Sequence, residues 1–214
     1  MIVDRRALDP DATPERLIER NDECNAISSA IEPLVGPPRP VFLFGPSGCG
    51  KTTTATFALE EARRQLFDLR TAFVSCRGKT RAGVLRNAVR EALGGHLVYQ
   101  SKGADALLAE LDAAEDRVLV VCGEADQLRD KQVLLDLYGA DCTLIVIGNR
   151  EAELFAELEA LQGGRSRFGS RETVRFQSYD HTTLVKILEA RIDQGLRPGV
   201  VTDDAVVAIA EHAN

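Results

Sequence analysis

Hydrophobic positions along this chain follow two patterns, and the two alternate. The first is the short continuous apolar run: VFLF at 41–44, TAFVSC at 71–76, VLVVC at 118–122 and TLIVI at 143–147. Each is bounded by turn-forming or charged residues, as in a strand buried on both faces. TVRF at 173–176 predicts a fifth strand.

The second pattern is recurrence every three to four residues. Cys24, Ile27, Ile31 and Leu34 mark one helix, stopped by Gly36-Pro37-Pro38-Arg39-Pro40. Val84, Leu85, Val89 and Leu93 mark another, stopped by Gly94-Gly95. Helices are also expected over 51–66, 104–114, 127–137, 151–161, 181–193 and 203–212, with GGRSRFGS at 163–170 as a loop. Strands without polar alternation, each followed by a helix, predict an α/β domain whose mostly parallel sheet is covered on both faces. The first twenty residues, with two prolines among charges, read as an extended lead-in.

Composition narrows the class without changing the fold. At 214 residues, 44% hydrophobic and 28% charged, the chain is long enough for one sizeable domain. No apolar stretch reaches the ~18–20 residues of a membrane span. The acidic start MIVDRRALDPDATPER lacks the apolar core of a signal peptide, so no membrane association and a cytoplasmic location are expected. A net charge of −7 repels nucleic acid on average, and contact with DNA would need a local basic patch. The five cysteines are scattered without C-x-x-C spacing and read as buried free thiols, and the three histidines suggest no metal cluster.

The candidate chemistry sits at the ends of three strands. GPSGCGKT at 45–52 satisfies G-x-x-x-x-G-K-[ST] between a predicted strand and a predicted helix. Small residues let successive backbone N–H groups turn inward around phosphate oxygens, and the helix N-terminus adds partial positive charge. The expected nucleotide-binding set is Gly45, Pro46, Ser47, Gly48, Cys49, Gly50, Lys51, Thr52 and the next residue, Thr53. In that set Lys51 reaches the β- and γ-phosphates, and the Thr52 hydroxyl is the expected Mg²⁺ ligand.

The second strand end is VLVVCGEADQL at 118–128. Behind a phosphate loop such a strand normally ends Asp-Glu, the Asp helping to hold Mg²⁺ and the Glu orienting water. Here Glu124 is present and Gly123 stands in the acid's place. Asn149, at the end of the next apolar run, offers an amide to a γ-phosphate or an attacking water.

With these residues in view the sequence resembles an AAA+ ATPase, and more narrowly the archaeal and eukaryotic origin-recognition and cell-division-control replication initiators. PERLIERNDE resembles their entry segment, and VSCRGKTRAGVLRNAVREALGG their second strand and following helix. SRFGSRETVRFQSYDHTTLVKILEARI resembles the arginine-bearing segment, fifth strand and entry to the lid; VVTDDAVVAIAEHAN resembles the first part of that lid.

The resemblance implies a three-layer P-loop NTPase fold of the ASCE type with sheet order 5-1-4-3-2. It divides the chain into a lead-in over 1–20, a nucleotide-binding core over 21–180 and a truncated helical lid over 181–214. It implies ATP or ADP with Mg²⁺ as cofactors, and other AAA+ initiator subunits or self-association as partnership. Glu124 corresponds to the water-orienting acid and Asn149 to the first sensor. Arg167 is the chosen arginine for a neighbouring subunit's ATP, with Arg165 the close alternative. The plainer reading of Arg165, Arg167, Arg171 and Arg175 is a solvated loop and strand face.

Two departures qualify the resemblance. Gly123 offers no oxygen to a metal, so the main functional expectation is an ATP-binding module related to DNA replication initiators (origin recognition or helicase loading) whose hydrolysis is slow or absent. The sequence stops at Asn214, before the family's second sensor arginine and winged-helix domain, so a shortened member or a partial chain is expected, with DNA contact lacking an evident domain. Two other readings stand beside it. One is a small-molecule or nucleotide kinase using the same phosphate loop; the other is an interaction or regulatory protein that does not hydrolyse nucleotide.

Overall fold

The computed structural model describes residues 2–9, 12–32, 39–94 and 102–212. Five parallel strands form one sheet in the order β2-β3-β4-β1-β5: β1 (Val41–Phe44), β2 (Leu69–Ser75), β3 (Arg117–Gly123), β4 (Thr143–Gly148) and β5 (Glu172–Arg175). Read from the other edge this is 5-1-4-3-2, as the resemblance implies.

The two-residue period of a strand sorts the apolar runs into two cores. Phe42 and Phe44 of β1, Val120 and Cys122 of β3, and Leu144 and Val146 of β4 face one side. That side is packed by α3 (Arg81–Leu93), α4 (Ala104–Asp112), α5 (Gln132–Gly139) and α6 (Glu151–Ala160). Leu43, Val121, Ile145 and Ile147 face the other, under α1 (Asn21–Ile31) and α2 (Lys51–Gln65). A strand between two such layers has no polar face, which is why β1, β3 and β4 read as unbroken apolar runs.

Local chemistry sets the helix ends. Thr80 caps α3 by accepting a hydrogen bond from the Gly83 amide, and Gly94 ends it in the left-handed region at φ 68°. Asp180 caps α8 (His181–Gly195) through the Thr183 amide at 2.7 Å. Leu34, the Gly36-Pro37-Pro38 stop and Gly95 lie outside the described residues. Cys49, Cys76, Cys122 and Cys142 are buried and Cys24 is half-buried, all as free thiols.

Three segments differ from the sequence pattern. The helix expected over 127–137 is a turn of 3-10 helix at Ala125–Gln127 followed by α5, which starts only at Gln132. Leu128 is extended and buried, and Lys131 donates to the carbonyls of Asp126 and Leu128, taking up groups a continuous helix would use. The loop expected over 163–170 holds a short helix, α7 (Gly164–Arg167). The lead-in carries a 3-10 turn at Arg6–Leu8 and lies against α8. There the Val3 amide donates to the Gly195 carbonyl at 2.8 Å, and Arg191 donates to the carbonyls of Ala7 and Asp9. α8 packs in turn on α9 (Asp203–His212).

Candidate functional site

Strand β1 sits where the chain's direction across the sheet reverses, between β4 and β5. In open α/β sheets the crevice outside the carboxyl ends at such a point is the usual ligand site. The 45–52 loop occupies it. Gly48 and Gly50 take φ of 81° and 87°, and Gly50 is the residue from which α2 starts. Only glycine fits at 50 for a second reason: a Cβ there would collide with the Tyr179 hydroxyl. Lys51 is 7% exposed and donates from Nζ to the carbonyls of Gly45 at 2.8 Å and Pro46 at 2.6 Å.

Two cavities meet across this loop. The smaller, about 260 Å³, is lined by 47–48, 50–53, Glu124, Gly148 and Asn149. The structure therefore brings Lys51, Thr52, Glu124 and Asn149 together around one space beside the α2 N-terminus. The larger, about 770 Å³, lies on the other side of Gly48, Gly50 and Thr53, against residues 14–18, Tyr179 and α8. A chain of phosphates suits the first space, where amides, a lysine and a helix N-terminus converge. The second, with Ile18, Leu184 and Ile187 in its wall, suits a flat apolar group.

Around the acidic strand end the geometry is different. Gly123 is buried, and a Cβ on it would lie 3.3 Å from the Phe73 ring. The Glu124 backbone is left-handed at φ 55°. Its carboxylate accepts from the Ser75 hydroxyl at 3.2 Å and lies 3.9 Å from Arg77. Asp126 is buried with Oδ1 unpartnered and Oδ2 3.5 Å from Arg150 Nε. A Cβ on Gly148 would meet that same Oδ1 and the Phe44 ring, which places Asp126 on the face of the sheet away from α2. For a divalent cation the site thus offers the Thr52 hydroxyl and no carboxylate at 123. That set fits a cation already carried by phosphates and is short of the ligands that would hold it firmly.

The arginine cluster separates. Arg167 donates to the Leu135 carbonyl at 2.8 Å and lies across Gly139, against α5. Arg175 makes a two-pronged pair with Glu151, and Arg171 lies over the Phe155 ring. Arg165 has 84% of its side chain exposed, with Glu159 at 3.2 Å.

Two residues at the site carried no assigned role in the sequence, Arg20 and Tyr179. The Arg20 guanidinium is buried between the Cys49 and Gln177 carbonyls and lies 4.0 Å from the Tyr179 ring. Burial holds the Tyr179 phenol above its ordinary pKa, so it stays protonated at neutral pH. Both lie in segments quoted for the resemblance, Arg20 in PERLIERNDE and Tyr179 in SRFGSRETVRFQSYDHTTLVKILEARI, which gave neither a role.

Residues 36–155, more than half of the chain, match the AAA domain family. Across its full length the chain is 35% identical to ORC1-type DNA replication protein 1 of Halobacterium salinarum and covers 70% of it. It is 32% identical to ORC1-type DNA replication protein 9 of the same organism, covering 61%. Against further curated relatives the chain spans as little as 53% of their length. Among solved structures, the Aeropyrum pernix ORC1 protein in complex with DNA superimposes with a TM-score of 0.83 at 24% identity, over 99% of this chain and 59% of that one.

Proposed function

The chain belongs to the AAA domain family and to the ORC1-type DNA replication proteins within it, and on that premise we propose that it binds ATP or ADP as a switch component of replication initiation and hydrolyses ATP slowly or not at all. One observation carries this reading. The glycine-rich loop with Lys51 is complete at one strand end, while its neighbour has Gly123 against Phe73 where a metal-binding acid is expected. The triphosphate lies along 45–53 with the base in the larger cavity.

Each group then has a task. Loop amides and Lys51 neutralise the phosphates, and Asn149 faces the γ-phosphate. Glu124, held by Ser75, orients water when it turns inward. The Thr52 hydroxyl would hold a Mg²⁺ brought in with the nucleotide, and that ion would supply the charge that phosphoryl transfer requires. Residues 21–180 form the binding core and 181 onward the lid. Arg165 replaces Arg167 as the arginine offered to a second subunit, because 84% of its side chain is exposed whereas Arg167 is held by the Leu135 carbonyl. The kinase alternative loses its support, since Arg167, Arg171 and Arg175 are engaged within their own segment and neighbouring helices. Among the described residues no helix is long and apolar enough to cross a membrane.

The test is retention on an immobilised-ATP matrix. Wild type is retained and Lys51→Ala is not, with an affinity loss of about a hundredfold expected for removing a charge-assisted phosphate contact. Equal retention of the two proteins overturns the reading.

A further inference from the structure

Arg20 is a buried cation that spends most of its donors on main chain. Nε and Nη2 both donate to the Cys49 carbonyl, at 3.3 and 3.1 Å; Nη2 also donates to the Gln177 carbonyl at 2.6 Å. Nη1 donates to the Glu19 carbonyl at 3.3 Å and pairs with Glu23 at 3.1 Å, which balances the charge. A guanidinium used in this way fixes where three stretches of backbone lie, and a single ammonium lacks the fork to do so.

The Cys49 carbonyl has a particular meaning. In a planar trans peptide the carbonyl of one residue and the N–H of the next point in opposite directions. Holding the Cys49 oxygen outward therefore turns the Gly50 N–H inward, toward the place a phosphate occupies. Tyr179 adds a second strut: its ring stacks on Arg20 and its hydroxyl abuts Gly50.

Glu19 continues the connection toward α8. Its backbone takes φ 52°, a conformation that costs a non-glycine residue roughly 1–3 kcal/mol and persists only where neighbours enforce it. That turn sends the carboxylate to the first two turns of α8, where it accepts from Thr183 Oγ1 at 2.5 Å and Lys186 Nζ at 2.6 Å. Thr183 is buried and its amide is the one capped by Asp180. Two consecutive residues thus hold the phosphate loop with one side chain and the lid helix with the other.

We propose that Glu19 and Arg20 are positioning residues that couple the phosphate loop to α8, so that nucleotide in the loop tightens α8. The inference rests on the reading that 45–53 binds nucleotide. Phosphates draw the Gly50 amide inward, the peptide plane sets the Cys49 oxygen against Arg20, and Glu19 passes the constraint to Thr183 and Lys186.

ADP is the probe, with amide hydrogen exchange over 181–195 as the readout alongside affinity and the melting temperature of the unliganded protein. Wild type binds ADP and exchange over 181–195 slows. Glu19→Asn tolerates the left-handed backbone but is too short to reach α8, so it binds ADP within about threefold of wild type while the slowing falls by more than half. Arg20→Lys keeps a buried charge but loses the fork, so it melts a few degrees below wild type without ligand and loses about tenfold in ADP affinity. Full slowing in Glu19→Asn, or wild-type affinity in Arg20→Lys, overturns the coupling. Binding by wild type with no change over 181–195 overturns it alone, whereas no ADP binding by wild type overturns the nucleotide reading as well.

Discussion

The ends of β1 and β3 lie on the same edge of one sheet, two strands apart, and were built by opposite means. After β1 the functional groups are mostly main-chain amides, shaped by glycines at 48 and 50 and braced by Arg20 and Lys51. After β3 they are side chains, and the one expected to hold a metal is missing at Gly123. Binding a phosphate chain depends mainly on the first kind of group, and stabilising its transfer depends on the second. One substitution in β3 can therefore remove turnover and leave binding intact.

The two glycines offer the sharpest contrast. Gly50→Ala strains a φ of 87° and collides with Tyr179, so ADP affinity falls by about tenfold or more, with Tyr179→Phe restoring part of it. Gly123→Ala has only to move the Phe73 ring by a few tenths of an ångström, and affinity and stability change little, by about 1 kcal/mol at most. Fluorescent-nucleotide titrations of both decide it, and equal losses at the two positions would erase the contrast.

Restoring the acid is the next step down in size. Gly123→Asp raises phosphate release from ATP by about tenfold without tightening ADP binding. A wild-type rate already in the ordinary range for AAA+ ATPases, unchanged by the substitution, counts against slow turnover. Glu124→Gln in the wild-type background lowers phosphate release by less than about threefold, because groups that act as a unit lose little more once one is absent. The same change in the Gly123→Asp background costs far more, which a four-protein cycle of rates reads directly.

The smallest effect is on pH. Glu19 is held below the usual carboxylate range by its hydrogen bonds from Lys186 and Thr183, and Asp180 by the Thr183 amide. Groups depressed in the folded state stabilise it above their unfolded values and lose that contribution as pH falls through the folded ones. Both are solvent-exposed, so the change is slight: exchange over 181–195, taken relative to each amide's intrinsic rate at that pH, quickens below about pH 4. In Glu19→Asn that quickening is reduced to the share of Asp180.

Much of the architecture was legible because its signals are local. VFLF reads as buried strand since both its faces are covered, and 45–52 reads as a phosphate loop since its conformation depends on small residues next to one another. The absence at Gly123 was equally visible. The break before α5 was not, because Leu128 leaves the helical path to fill a core contributed by other segments. Nor was the contact of Arg167, whose partner is a carbonyl 32 residues away at Leu135.

By itself, then, the amino-acid sequence determined the alternation of elements, the phosphate loop and the missing acid, since periodicity and backbone preference act over a few neighbouring residues. The tertiary structure alone decided which long side chains reach which distant backbone. Arg20 meets Gln177 across 157 residues, and no property of either segment read separately announces the contact. A flexible side chain takes its partner from whatever the packed fold brings within its reach.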